Sequence, residues 1–260
     1  MHRLGLCYDG TCDTIEPILE MYHLSHLKIT GTYTHFPAAD SLTPDNIAYT
    51  KKQYELFQKL VAILRKKGIN TGILHTQNSS ATIHFPNFKY DYIRVGSLLL
   101  GMPYGDVSML PQAKNFKPMF SLKARVSIVK ILPPNSKVSY GLNYTTSKSE
   151  KIAVVAIGYG DGYPRYLSNR QVSVIVNGHL AEVIGNICMD QLIINVTSIP
   201  DIEEGDIVTL IGSSDGYTIS LDDIAQMKNT LYYEIVDHIN PRVPRVYIQG
   251  NDTFIRFSIF

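Results

Sequence analysis

Three polar clusters stand directly after runs rich in β-branched residues: Thr34-His35, His75-Thr76-Gln77-Asn78-Ser79-Ser80 and Arg94-Val95-Gly96-Ser97. Between them they hold a cation, imidazoles and hydroxyls, the means to fix an anion and to move a proton. Asn78-Ser79-Ser80 and Gly96-Ser97 each open an expected helix, where free backbone N–H groups and the helix dipole favour a phosphate. Capping alone explains Asn78 and Ser79. Two such starts beside a strand-end arginine and a strand-end histidine point instead to a phosphorylated ligand. A second set comprises Val138-Ser139-Tyr140-Gly141, Ile157-Gly158-Tyr159-Gly160-Asp161-Gly162 and Gly185-Asn186-Ile187-Cys188-Met189-Asp190-Gln191. Each places polar or flexible residues inside or directly after an apolar strand, which either lines a site or makes a tight turn. Tyr140 is one of 17 tyrosines, a residue type most often used for packing.

These clusters need a frame to hold them. Lys28 to Thr34 reads as a strand ending at His35. Ile47, Tyr54, Leu56, Phe57, Leu60, Val61 and Leu64 recur at helical spacing, which predicts a helix over about 45–67. Pro44 and Asp45 suit its start, and Lys66, Lys67 and Gly68 its end. A strand over 71–75, a helix opening near Asn78, a strand over 90–94 and an apolar helix from Gly96-Ser97 follow. This β/α alternation implies a parallel sheet with functional loops at the carboxyl ends of its strands, so the first three clusters share one rim. After about Asn115 the pattern changes to short strands over 120–131, 152–157, 172–176, 182–184, 192–196 and 207–211. Asn177-Gly178, Glu204-Gly205-Asp206 and Asp215-Gly216 supply the turns between them. Ser220 with Asp223 caps a short helix, and Thr230 caps another that runs to about Ile239 before Asn240-Pro241. The expected fold class is α/β plus β, with residues 1–115 forming the α/β part and 116–260 a mainly antiparallel β domain.

Composition narrows the function classes. Against 24 Lys and Arg stand 23 Asp and Glu, so no electrostatic footprint for nucleic acid or an anionic membrane surface is expected. Cys7, Cys12 and Cys188 show no C-x-x-C spacing, so neither a disulfide framework nor a metal site is expected. The sequence contains no apolar run of about 18 residues, and Met1 to Gly5 carries no signal-peptide core. A cytoplasmic location is the default.

The motifs then resemble those of the alanine racemases, pyridoxal-phosphate enzymes with an N-terminal (β/α)8 barrel of the TIM type and a C-terminal β domain. The matching pieces are MHRLG at Met1 to Gly5, GTYTHF at Gly31 to Phe36, HTQNSS at His75 to Ser80 and IRVG at Ile93 to Gly96. They continue as VSYG at Val138 to Gly141, IGYGDG at Ile157 to Gly162, ICMDQ at Ile187 to Gln191 and YYEIVDHINPRVPR at Tyr232 to Arg245. The order is the family's own across nearly the whole chain.

The resemblance implies a role for each matching residue. Arg94 resembles the arginine at the pyridine nitrogen of pyridoxal 5'-phosphate. A guanidinium has no proton to give up, which leaves that nitrogen unprotonated and favours return of a proton to Cα. Tyr140 resembles the base on one face of the cofactor, the one that acts on the L-enantiomer. A phenol ordinarily titrates near 10 and needs help to act as a base at neutral pH. His35 resembles the histidine that bridges this tyrosine and the arginine. In the family the tyrosine comes from the partner subunit, so a head-to-tail homodimer with composite sites is implied. Ser79, Gly96, Ser97 and Tyr233 fall on positions that hold the cofactor phosphate. Arg3 and the backbone at Met189 resemble contacts to the substrate carboxylate, and Tyr159 and Arg165 resemble residues that line the entrance.

One departure stands out. The family's other base is the lysine that forms a Schiff base with the cofactor, and it has no counterpart here, because Met1 falls on an internal methionine of the motif. The resemblance covers about the last three of eight barrel strands. It implies an N-terminally truncated racemase, with no racemase activity expected of the isolated chain. For the full-length enzyme the implied reaction is interconversion of L-alanine and D-alanine for peptidoglycan precursors. Tyr233 leaves room for a methyl side chain and crowds a hydroxymethyl one, which favours alanine over serine. The alternatives are the serine racemase domain of a vancomycin-resistance protein and a non-catalytic racemase fragment. A pyridoxal-phosphate homeostasis protein of related barrel fold would lack the β domain.

Overall fold

In a computed structural model, which describes residues 5–257, the chain divides into two units, Met1–Met119 and Phe120–Phe260. The first unit contains α1 (Glu16–Tyr22), β1 (Gly31–Tyr33), α2 (Pro44–Lys66), β2 (Ile73–Asn78), α3 (Ser79–His84) and β3 (Tyr92–Arg94). The strands form a three-stranded parallel sheet in the order β1-β2-β3. Tyr33 lies beside His75, and Asn78 beside Arg94, so the three strand-end clusters are neighbours. Between His75 and Asn78 the register with β3 shifts, a bulge of the kind that re-aims side chains next to functional sites.

Helix α2 covers this sheet and sets its depth. Pro44 stands in its first turn, where a fixed φ and a missing N–H cost nothing. Gly68 ends it at φ 76°, its N–H donating to Arg65 O at 3.0 Å while Ile69 N–H donates to Leu64 O at 3.0 Å. One stripe of α2, Leu60 and Leu64, is buried against Ile15, Ile18 and Leu19 at α1. A neighbouring stripe, Phe57 and Val61, is buried against Leu74 of β2. The apolar helix expected from Gly96 is instead a short 3₁₀ turn, Ser97–Leu100. It stops at Gly101, with φ 68°, where an added Cβ would fall 1.8 Å from the Lys117 carbonyl oxygen. The physical reason is the turn back over this backbone, which only glycine permits.

The second unit contains β4 (Leu122–Leu132), β5 (Lys137–Val138), β6 (Tyr144–Thr145), β7 (Glu150–Val155), β8 (Ser173–Val176), β9 (His179–Ile184), β10 (Leu192–Asn195), β11 (Ile207–Ser214), β12 (Tyr217–Ile219), α4 (Leu221–Lys228), α5 (Tyr232–Asp237), β13 (Arg245–Gln249) and β14 (Asp252–Arg256). The main sheet has the order β12-β11-β4-β7-β10-β9-β8, and β8 pairs again with β11. Every pairing is antiparallel, so six strands close into a barrel and β12 hangs from β11 as a hairpin. Ala153, Val155, Val174, Leu192, Ile194, Val208 and Leu210 are fully buried within it. Helix α4 has the expected capping box, with Ser220 Oγ accepting from Asp223 N–H at 3.0 Å and Asp223 Oδ2 accepting from Ser220 N–H at 2.8 Å. The next helix is shorter than expected and has Leu231 at its N-cap; the Thr230 hydroxyl bonds the Glu234 carboxylate instead. Among the described residues no helix is long and apolar enough to cross a membrane.

Candidate active site

In the first unit the geometry centres on Arg94. Its Nη1 donates to His75 Nδ1 at 2.6 Å, and its Nη2 donates to the carbonyls of Thr34 at 2.9 Å and Thr76 at 3.2 Å. Nη2 also lies 3.3 Å from His35 Nδ1. The guanidinium sits 4.9 Å from the centroid of the Tyr33 ring, and that ring stacks on His75 at 4.9 Å with 7° between planes. These contacts come from the ends of all three strands, which is why a parallel sheet is needed to assemble them. Burial pulls the Arg94 guanidinium below its ordinary value, while Tyr33 acts in the opposite direction. Burial, and then the Arg94 charge, lowers the His75 pKa, consistent with a neutral ring that accepts from Arg94. Gln53 of α2 holds the end of β1, its Nε2 donating to Thr34 Oγ1 at 2.8 Å and to the His35 carbonyl at 2.9 Å.

Beside this group lies a cradle of hydroxyls. Asn78 caps α3, its Oδ1 accepting from Ala81 N–H at 3.0 Å, and its Nδ2 donates to the Phe36 carbonyl at 3.1 Å. Ser79 is buried, and its Oγ accepts from Gly96 N–H at 2.8 Å. Ser97 is 1 % exposed, and its Oγ has no hydrogen-bond partner among the described residues. An enclosed hydroxyl left unpaired costs about 1–3 kcal/mol, so such an atom in a polar rim asks for a ligand. Ser79, Gly96 and Ser97 are thus brought together, next to Arg94 and His35. Arg3 lies outside the described residues.

In the second unit Tyr140 sits at the tip of the β5–β6 hairpin, within the connection between β4 and β7. Ser139 has φ 63° and ψ −179°, Gly141 φ 73° and Leu142 φ 52°. Ser139 occupies a region nearly reserved for glycine, at a cost of about 1–3 kcal/mol that the surroundings must offset. The hairpin is held at its base: Val138 packs with Ile152 and Ile184, and the Tyr144 hydroxyl donates to the buried Glu150 carboxylate at 2.6 Å. Asn195 Nδ2 donates to the same oxygen at 2.9 Å. Near the tip, Asn186 Nδ2 donates to the Tyr140 carbonyl at 2.6 Å and the Ser139 hydroxyl donates to the Asn186 carbonyl at 2.5 Å. The Tyr140 side chain is exposed.

The turn at 185–191 meets the turn at 158–161. Tyr159 N–H donates to the Cys188 carbonyl at 3.0 Å and Gly160 N–H to the Met189 carbonyl at 2.8 Å. Gly158 permits this, since an added Cβ there would lie 2.2 Å from Cys188 O. Arg242 ties both turns together, with Nε on Asp161 Oδ1 at 2.8 Å and Nη2 on Asp190 Oδ1 at 2.7 Å. The 3₁₀ turn of Arg165 joins the same region, because Ser168 Oγ donates to the Arg165 carbonyl at 2.6 Å and accepts from Ile187 N–H at 2.9 Å. Tyr140, Tyr159, Arg165 and Met189 are therefore carried by mutually bonded turns. Tyr233 stands apart from them on α5, packed on Tyr232 with ring centroids 4.5 Å apart. Sequence reasoning gave no role to His75, Gln53, Asn186 or Arg242. His75 and Asn186 had a signal in lying inside flagged clusters, and Arg242 in lying within the matching stretch Tyr232 to Arg245; Gln53 had none.

Comparison with known proteins covers both units. The family described as "Alanine racemase, N-terminal domain" matches residues 1–103, and "Alanine racemase, C-terminal domain" matches residues 119–247. The alanine racemase of Halothermothrix orenii is 43 % identical over 225 residues, which is 86 % of this chain and 58 % of that protein. Among solved structures, the alanine racemase of Bacillus anthracis with bound L-Ala-P superposes with a TM-score of 0.87 at 31 % identity, covering 99 % of this chain and 64 % of that one. The alanine racemase of Clostridium difficile 630 in complex with cycloserine superposes at 0.85 and 31 % identity, covering 96 % and 64 %. The chain spans about three fifths of the length of these relatives.

Proposed function

The chain belongs to the alanine racemase family, and on that premise we propose that its residues serve the pyridoxal-phosphate-dependent interconversion of L-alanine and D-alanine. The observation that carries the reading is the Arg94 cluster beside the unpaired Ser97 hydroxyl. That pairing suits a ligand with a basic ring nitrogen at one end and a phosphate at the other. Ser79, Gly96 and Ser97, with Tyr233, hold the phosphate; Arg94 meets the ring nitrogen. When bound, the cofactor supplies delocalisation of the negative charge that develops as the Cα proton leaves.

The remaining work falls to this chain's side chains. Arg94 has no proton to surrender, so it keeps the ring nitrogen unprotonated and charge stays available at Cα. Tyr140 takes the Cα proton of the L-enantiomer at its phenolic oxygen and returns one in the reverse direction. His35, within reach of Arg94, orients that phenol. Arg3 and the Met189 backbone bind the substrate carboxylate, and Tyr159 and Arg165 line the entrance and limit water. Tyr140 acts on the cofactor site of a second copy, so the working unit is a homodimer. The opposite base is a lysine for which no residue of the 260 is proposed, so the isolated chain is proposed not to turn over. The product is a precursor for peptidoglycan.

The test is Tyr140→Phe in the enzyme expressed from its complete reading frame. Conversion of L-alanine to D-alanine, followed by chiral chromatography, should fall by about 10²–10⁴-fold while the cofactor's visible absorbance is retained. Unchanged conversion would reject the reading.

A further inference from the structure

The Tyr140 turn holds its place without help from packing of the tyrosine itself, a residue 74 % exposed. Its backbone is also in conformations that relax readily, with positive φ at Ser139, Gly141 and Leu142. Some contact must over-determine it. Near the tip that contact is reciprocal: the side chain of Asn186 reaches the backbone of residue 140, and the side chain of Ser139 reaches the backbone of residue 186. The Asn186 amide is itself oriented. Asn169 Nδ2 donates to Asn186 Oδ1 at 2.9 Å, which fixes Nδ2 on the side of the Tyr140 carbonyl. Both turns are pared down where they meet. An added Cβ at Gly141 would lie 3.2 Å from Asn186 Nδ2, and one at Gly185 would lie 2.9 Å from Ser139 Cβ.

The far end of the 185–189 turn is bonded to residues 159 and 160 through the carbonyls of Cys188 and Met189. Asn186 is thus the link between the phenol-bearing turn and the turn that presents Met189. We propose that Asn186, oriented by Asn169, is a positioning residue that sets the Tyr140 phenol relative to the Met189 backbone. It does not touch the reacting atoms. The inference rests on the reading of Tyr140 as a base.

Two variants test it. Asn186→Asp keeps an acceptor for Asn169 and puts an oxygen where the donor to the Tyr140 carbonyl stood; Asn186→Ala removes both bonds. In the 260-residue chain, backbone amide order parameters at residues 140–142 should drop from the rigid range of about 0.85 to below about 0.6 in both variants. In the enzyme from the complete reading frame, kcat should fall about tenfold with KM changed less than about twofold. The α-deuterium isotope effect measured from L-alanine should rise while that from D-alanine falls, because only the Tyr140 step is slowed. A merely structural defect lowers the active fraction and leaves both isotope effects alone.

Order parameters that stay rigid overturn the proposal. So do mobile residues 140–142 with unchanged isotope effects, provided that Tyr140→Phe abolishes turnover. If Tyr140→Phe leaves turnover intact, the reading of the base fails instead.

Discussion

His75 is pulled by burial and by Arg94 in the same direction, toward the neutral ring. Its folded pKa lies below the ordinary value near 6.5, so the unfolded chain binds the proton more readily. The stability this contributes is complete above about pH 6.5 and is lost as pH falls through the folded value. Thermal melts from pH 7 to 5 should therefore show a steeper loss in the native chain than in His75→Gln, which keeps an acceptor for Arg94 but does not titrate. Equal slopes would count against this coupling. Ser97 makes a prediction of two signs. Ser97→Ala removes an enclosed unpaired oxygen, so the ligand-free chain should melt at the same temperature or slightly higher. Affinity for pyridoxal phosphate should nevertheless weaken about tenfold, the worth of one hydrogen bond to a charged group, as read by absorbance titration. A variant that loses stability and keeps affinity would contradict the cradle.

Elements explain what was legible beforehand. Helix α2 shows in the sequence because its apolar residues repeat at helical spacing between Pro44 and Gly68, and both ends carry their own punctuation. Helix α1 does not, being seven residues with Pro17 in the first turn and no side-chain cap. The run Leu98-Leu99-Leu100 has no period, so nothing in it distinguishes an α-helix from the 3₁₀ turn that forms. Strands β13 and β14 escaped because Val246, Tyr247, Ile248, Phe254 and Ile255 are apolar yet more than half exposed, which breaks the alternation that marks a half-buried strand. The candidate site divides the same way. Strand-end residues such as His35 and Arg94 are visible as local clusters. Asn186 and Arg242 act on backbone or carboxylates 46 and 81 residues distant, a relation that no local pattern encodes. At this scale Gly158 is the decisive junction. Gly158→Ala drives a Cβ into the Cys188 and Met189 carbonyls and should cost about 1–3 kcal/mol, measured by urea unfolding. Stability within about 0.5 kcal/mol of the parent would show that the turns part easily.

For the molecule as a whole, the division of labour between the units makes a prediction of its own. Arg94 and His35 belong to the first unit and Tyr140 to the second. If each site draws its arginine from one subunit and its tyrosine from another, mixing two inactive proteins should restore activity. Coexpression of Arg94→Ala with Tyr140→Phe, from the complete reading frame, yields mixed dimers that carry one intact site each. Activity should recover toward one quarter of the parent value for random pairing; with both residues drawn from one subunit, every site carries a defect and none returns. The two units also differ in how their strands end. The second closes its six strands by pairing β8 with β11, whereas in the first β1 and β3 each have a single neighbour among the described residues. A barrel without edges presents no row of unsatisfied backbone groups, so a partner can meet it only through side chains. Strand addition, by which an extended segment of another chain docks through its main chain, is closed at the six barrel strands and open at β1 and β3 of the first unit and at β12 and the β13–β14 pair of the second. Recognition of the six barrel strands must be written in side chains and loops, and so it is open to change by point substitution.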